Sequence, residues 1–144
     1  MTKDKMCMFF ASDYHFEMIS LLSIKREIEK GNQTIIIPEN DLTKTVNTVL
    51  SRVNFSEEEK GKIKEIDWSN KDKIKKIDKI IKEGREVSIY IKGGEKYVKE
   101  KNKMLNEIKN KDGIQIIDCY DITQMNENIE KIKENYKEQL MTKE

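Results

Sequence analysis

Cysteine, histidine, proline and tryptophan are all scarce in this sequence of 144 residues. The 2 cysteines and 1 histidine are too few for the paired ligands of a structural zinc site or for a disulfide framework. No apolar run approaches the roughly 18 residues that a membrane span requires, and the first residues show no secretion signal. We therefore expect a cytoplasmic protein with reduced thiols, no membrane association and no metal site.

An excess of charge of one sign is also missing. Lys and Arg number 28 while Asp and Glu number 27, so the formal net charge is +1. Dedicated nucleic-acid binders usually carry a clear basic excess, so the overall charge argues against a nucleic-acid partner. Residues 71–82 are locally rich in lysine, which is typical of a solvated helix face. RNA association through these lysines is the weaker alternative.

Five short apolar runs predict β-strands. They cover residues 6–10, 34–37, 63–66, 87–91 and 114–117. The first, second and fifth runs are almost continuously apolar, as is typical of strands covered on both faces. The third run alternates between apolar and polar residues, which favours an edge strand.

Amphipathic helical patterns separate these runs, and the last of them predicts a C-terminal helix over about 121–141. Gly31, Gly61, Gly84 and Gly113 each follow a charge-rich segment and precede a predicted strand, as glycines that end helices do. With 1 proline and no linker, residues 1–144 read as a single domain. Strands alternating with helices predict an α/β fold. We expect a three-layer αβα sandwich with a mostly parallel, five-stranded, Rossmann-like or RecA-like sheet.

A parallel sheet binds ligands beyond the carboxyl ends of its strands, and the rarest residues fall in the turns predicted there. The candidate ligand-binding residues are Ser12, Asp13, Tyr14, His15, Glu39, Trp68, Gly93, Gly94 and Tyr120. Our first hypothesis is a non-catalytic sensory or partner-binding domain. It would recognise a small molecule or a regulatory protein at this edge, and the sequence leaves formation of a homo-oligomer open.

The second hypothesis is a small enzyme. His15 would be the general acid or base, oriented by Asp13 or Asp118, and Gly93 and Gly94 would hold an anionic substrate. Against it stands a simpler interpretation, in which Ser12 or Asp13 caps a helix and His15 packs at the end of the sheet.

Two further candidates have an equally simple alternative. Trp68 is either an aromatic wall for a ligand or a core residue. Gly93 and Gly94 form either an anion cradle or a plain turn from strand to helix. Neither a Walker A sequence, nor G-x-G-x-x-G, nor G-x-S-x-G occurs, so the sequence names no cofactor.

Several blocks within residues 9–125 resemble the MEDS family, the sensory domain of methanogen and methylotroph regulators. They are Glu29-Lys30-Gly31, Ile66-Asp67-Trp68, residues 97–107 and Cys119-Tyr120-Asp121. The resemblance implies a RecA-type α/β core without a working nucleotide motif, which senses small molecules or signals in bacterial regulation. A histidine that the family often carries before the first strand is replaced here by Lys5 and Met6. With no attached DNA-binding or kinase module, such a sensor would act through another protein.

Overall fold

A parallel β-sheet organises the chain in the computed structural model, which describes residues 5–108, 113–125, 128–136 and 138–140. The strands are β1 (Met6–Phe10), β2 (Gln33–Pro38), β3 (Val87–Gly93), β4 (Ile114–Asp121) and β5 (Glu138–Gln139). The helices are α1 (Asp13–Glu29), α2 (Thr43–Leu50), α3 (Glu57–Lys64), α4 (Ile74–Lys82), α5 (Glu95–Leu105) and α6 (Ile129–Lys133), with a 3₁₀ turn at Ile122–Gln124. The strand order is β2-β3-β4-β1-β5, and every described pairing is parallel.

Alternation along the strands divides the buried side chains between the two faces of the sheet. In β1, Met8 and Phe10 pack with residues of α1, α2 and α3, whereas Cys7 and Phe9 pack with residues of α4 and α5. All seven residues of β3 are buried, because this strand has neighbours on both sides and helices above and below. The α/β fold with a parallel sheet is therefore confirmed.

The predicted third strand is wrong. Residues 63–66 lie at the end of α3 and just beyond it, between two helices rather than in the sheet. Ser56 and Glu59 form a reciprocal capping box at the start of α3, and this local signal favours a helix over a strand. Three helices therefore connect β2 to β3 without an intervening strand.

The predicted C-terminal helix over about 121–141 is also wrong. Asp121 ends β4, and helix α6 covers only five residues, starting after the capping residue Asn128. The two residues of β5 then pair with Met6 and Cys7 of β1. The sheet thus has four strands of five residues or more, all predicted, and one two-residue strand where a helix was expected.

Two of the four glycines end helices as predicted, Gly31 after α1 and Gly84 after α4. Gly113 precedes β4 as predicted, but the described helix before it, α5, already ends at Leu105. Gly31, Gly84 and Gly113 have φ angles of 81°, 74° and 88°, in the left-handed region that favours glycine. Gly61 lies inside α3 instead. Among the described helices, none combines the length and the apolar character needed to cross a lipid bilayer.

Candidate functional site

The carboxyl ends of β1, β2 and β3 bring together a cluster of polar side chains that we call the Lys92 cluster. It consists of Asp13, Glu17, Asn40, Thr45 and Lys92. Lys92, one residue before the end of β3, is only 2% exposed. Its Nζ lies 2.7 Å from Asp13 Oδ1 and 3.1 Å from Asn40 Oδ1.

Two aromatic rings also lie beside Lys92. Its Nζ lies 4.8 Å from the centre of the Phe10 ring and 5.5 Å from that of Phe16. A buried ammonium group is costly unless it is paired, so the carboxylate of Asp13 stabilises it where it lies.

Asp13 occupies this position because α1 begins there. Ser12 accepts a hydrogen bond from the His15 backbone N–H, which fixes the first turn of the helix. Asn40, in the turn after β2, donates to Asp13 Oδ2 at 3.0 Å. A closed triangle of hydrogen bonds therefore joins Asp13 at the start of α1, Asn40 after β2 and Lys92 near the end of β3. The Asp13 side chain is 34% exposed, so the triangle reaches the solvent there.

Glu17 lies one helical turn after Asp13 and is 0% exposed. Its Oε2 accepts a hydrogen bond from the Thr45 hydroxyl, while its Oε1 has no partner in the described part of the chain. Burial raises the pKa of Glu17 to about 7; the Thr45 hydrogen bond lowers it, Asp13 raises it and Lys92 lowers it. A carboxyl group that titrates near neutral pH thus lies behind the Lys92–Asp13 pair.

Glu39 occupies the expected anion cradle with its own carboxylate. Its Oε1 accepts a hydrogen bond from the Gly94 backbone N–H at 3.0 Å, at the start of α5. A Cβ atom on Gly93 would lie 2.7 Å from that same oxygen, and one on Gly94 would lie 2.6 Å from Gln124 Oε1. Gly93 is therefore required for this close approach, whereas a side chain at position 94 would displace only the flexible end of Gln124. The structure does bring Glu39, Gly93 and Gly94 together.

His15 and Tyr14 lie at the surface of α1, and Tyr14 is 53% exposed. The Nδ1 of His15 accepts a hydrogen bond from the Ala11 backbone N–H at 3.1 Å. Asp13 is bonded to Lys92 and Asn40 instead of His15. In the described contacts, His15 thus has neither of the carboxylates proposed as its partner.

Asp118 and Tyr120 lie on the opposite face of the sheet, toward α5. Asp118 is 0% exposed, and its carboxylate lies 3.0 Å from Lys5 Nζ, 2.6 Å from the Tyr136 hydroxyl and 2.9 Å from Asn102 Nδ2. The Tyr120 hydroxyl is hydrogen bonded to that of Tyr136, and burial raises the pKa of Tyr120. These contacts tie the segment before β5 to the sheet.

Trp68 is a core residue. It is 3% exposed, and its Nε1 donates to the carbonyl of Ile63 at 2.9 Å. Its own carbonyl accepts from the Leu42 N–H at 2.9 Å, so Trp68 fastens the end of α3 to the start of α2. Of the two interpretations offered for this residue, packing agrees with the structure.

Sequence reasoning missed four members of the Lys92 cluster: Glu17, Asn40, Thr45 and Lys92 itself. A signal was present at two of them. Lys92 directly follows the apolar run of β3, and Glu17 lies between Phe16 and Met18 on the broad apolar face of α1. A charged residue within an apolar stretch is a better indicator of a functional site than a charged residue on the exposed surface.

No protein-family model, curated protein or solved structure matches this chain. The interpretation of the Lys92 cluster therefore depends on its own geometry. Within the described residues, no three His, Cys, Asp or Glu side chains are grouped closely enough to hold a metal ion.

Proposed function

We propose that this chain is a non-catalytic binding domain that recognises a small zwitterionic molecule at the Lys92 cluster. The observation that carries the proposal is the buried Glu17, one helical turn after Asp13, whose Oε1 has no partner in the described residues. Unsatisfied buried polar atoms are rare in folded proteins, and a hydrogen-bond donor on a ligand would satisfy this one.

The charges of the cluster select the class of ligand. A ligand that separates Lys92 from Asp13 must compensate both groups, because an unpaired buried charge costs several kcal/mol. An anion alone would leave Asp13 without a cation, and a cation alone would leave Lys92 without an anion. A molecule that carries both an ammonium and a carboxylate group satisfies both sides.

Binding at this edge agrees with the general behaviour of parallel sheets, which bind ligands beyond the carboxyl ends of their strands. The helices against both faces support the proposed three-layer αβα, Rossmann-like or RecA-like architecture. The proposed role in bacterial sensing or regulation, in the cytoplasm, follows from the resemblance to the MEDS family. An enzyme built on His15 gains no support, since its described contacts include neither Asp13 nor Asp118.

A thermal-shift screen tests the proposal with four probe classes: amino acids, inorganic and carboxylic anions, polyamines, and neutral sugars. A specific ligand at 100 times its Kd adds about 2.7 kcal/mol of stability, which raises the melting temperature of a domain of this size by about 5–10 °C. We expect such a shift with one or more amino acids, and only small shifts with the other three classes.

Two variants locate the binding site. Lys92→Met removes the ammonium group and should abolish the shift, whereas Lys103→Met, at an exposed position near the end of α5, should leave it unchanged. A full shift in Lys92→Met, or a large shift with simple anions or polyamines but not with amino acids, would contradict the proposal.

A further inference from the structure

The outer edge of β2 presents backbone hydrogen-bonding groups to a cleft. β2 is the first strand in the sheet order and pairs only with β3 among the described strands. The N–H groups of Gln33 and Glu39 donate toward β3, to the carbonyls of Glu86 and Lys92. Since backbone groups alternate in direction along a strand, those of Thr34 and Ile36 point outward.

Lys73 confirms this direction and covers part of the edge. Its Nζ donates to the outward carbonyl of Ile36 at 2.6 Å, and also to the carbonyls of Asp67 and Ser69. The Thr34 N–H, the Thr34 carbonyl and the Ile36 N–H have no strand beside them in the described part of the chain. The hydroxyl of Thr34 is buried and likewise has no hydrogen-bond partner among the described residues.

A cleft of about 310 Å³ runs along these groups. Residues 31–36 form one wall, and the other includes Lys62, Glu65, Ile66, Asp67, Lys73 and Lys76. The residues predicted as the third strand thus lie near the edge of β2 but across the cleft from it. An exposed strand edge is a template for pairing with another chain, and proteins usually cover or charge it.

We propose that this edge of β2 binds an extended acidic segment of a partner protein, which pairs with Thr34 and Ile36 as an additional strand. The far wall of the cleft lies opposite this edge, which favours a single extended segment over a second sheet. Three lysines line the cleft against two acidic residues. Lys73 Nζ lies 3.8 Å from Asp67, and Lys62 Nζ lies 3.6 Å from Glu58, outside the cleft, so the positive charge that remains is that of Lys76. The remaining positive charge favours acidic side chains on the segment. This inference is independent of the ligand proposed for the Lys92 cluster.

The test begins with selection from a displayed library of short random peptides on the full chain. We expect the selected peptides to be acidic and rich in β-branched residues. Hydrogen exchange of the chain with a selected peptide then locates the contact. The outward amides of Thr34 and Ile36 should gain protection, whereas the inward amides of Ile35 and Ile37, already directed toward β3, should change little.

Substitutions separate backbone pairing from side-chain contact. Thr34→Pro removes the outward N–H and should weaken peptide binding about tenfold, whereas Thr34→Val keeps it and should bind as the natural chain does. Proline is tolerated on edge strands. If this variant does not fold, the protection of the Thr34 and Ile36 amides in the natural chain tests the pairing instead. Lys76→Glu should weaken binding about two- to fivefold at low salt, and Lys79→Glu, on the same helix but outside the cleft, should not.

Three results would overturn the inference. The first is protection of amides elsewhere but not at Thr34 and Ile36. The second is selection of basic peptides, or of none. The third is a dimeric mass in solution that Thr34→Pro converts to 17.0 kDa, which would assign the edge to a second copy of the chain.

Discussion

Two carboxyl groups with no exposed surface, Glu17 and Asp118, lie on opposite faces of the sheet and differ in how they are paired. Asp118 has three donors, which come from Lys5, Asn102 and Tyr136. Glu17 has one hydrogen-bond donor, Thr45, and one oxygen without a partner in the described residues. A fully paired buried carboxylate orders its surroundings, whereas an incompletely paired one is costly and calls for an explanation, such as a ligand that supplies the missing donor. This comparison supports a structural role for Asp118 and agrees with the binding role proposed for the Glu17 side.

The largest effect is expected at Asp118. Asp118→Ala leaves the partly buried ammonium group of Lys5 and two further partly buried donors without their acceptor, and should lower the free energy of unfolding by about 3–5 kcal/mol. Urea denaturation followed by circular dichroism measures this loss. Asp78→Ala removes an ion pair with Lys82 on the partly exposed surface of α4 and should cost less than about 1 kcal/mol. Equal losses in the two variants would remove the structural role assigned to Asp118.

Glu17 should make stability fall as the pH rises. Its pKa is raised from 4.5 to about 7 in the folded state, so between these values the folded chain holds a proton that the unfolded chain releases. That stabilising contribution is complete below about pH 4.5 and is lost as the pH passes 7. Its full size is about 3 kcal/mol.

Glu17→Gln removes this titration. Relative to the natural chain, the variant should gain about 2–3 kcal/mol at pH 8 and little at pH 5. Glu29→Gln, an exposed change on the same helix, serves as the control and should give the same difference at both pH values. Urea denaturation at both pH values provides the measurement, and a pH-independent difference for Glu17→Gln would show that its carboxyl group does not titrate near neutral pH.

A smaller effect is expected at Thr45. Its hydroxyl lowers the pKa of Glu17, so Thr45→Val should raise the midpoint of the Glu17 titration above its natural value near 7. The loss of one hydrogen bond to the carboxyl group should also cost about 1 kcal/mol at pH 8. Carbon-13 NMR of the Glu17 side chain follows the midpoint directly. Thr48→Val, which removes an exposed hydroxyl bonded within α2, should leave that midpoint where it is.

Much of the fold follows from local sequence signals. The four longer strands are short apolar runs, and three glycines with positive φ mark the turns before β2, β3 and β4. The error over residues 63–66 has a physical cause. Ile63 and Ile66 are three residues apart, a spacing that suits a helix as well as an irregular strand, and the capping box at Ser56 decided in favour of the helix.

The sheet edge that carries the Lys92 cluster was predictable, but the composition of the cluster was not. The carboxyl edge of the sheet was expected from topology, and Asp13 was among the candidates. The pair that it forms with Lys92 joins residues 79 positions apart. Such a contact depends on where α1 starts relative to the end of β3, which no local pattern determines. Trp68 was left open between a ligand wall and a core residue, because rarity in a sequence does not distinguish a rim residue from a core residue.

The strand order has a consequence for how the chain folds during synthesis. β1 leaves the ribosome before the other described strands, yet its neighbours are β4 and β5, which begin at Ile114 and Glu138. Both edges of β1 therefore remain without their native partners until most of the chain has been translated. Sheets with such distant pairings fold slowly and expose strand edges in the meantime. Nascent chains that stall before residue 114 should depend on chaperones more than the finished protein does.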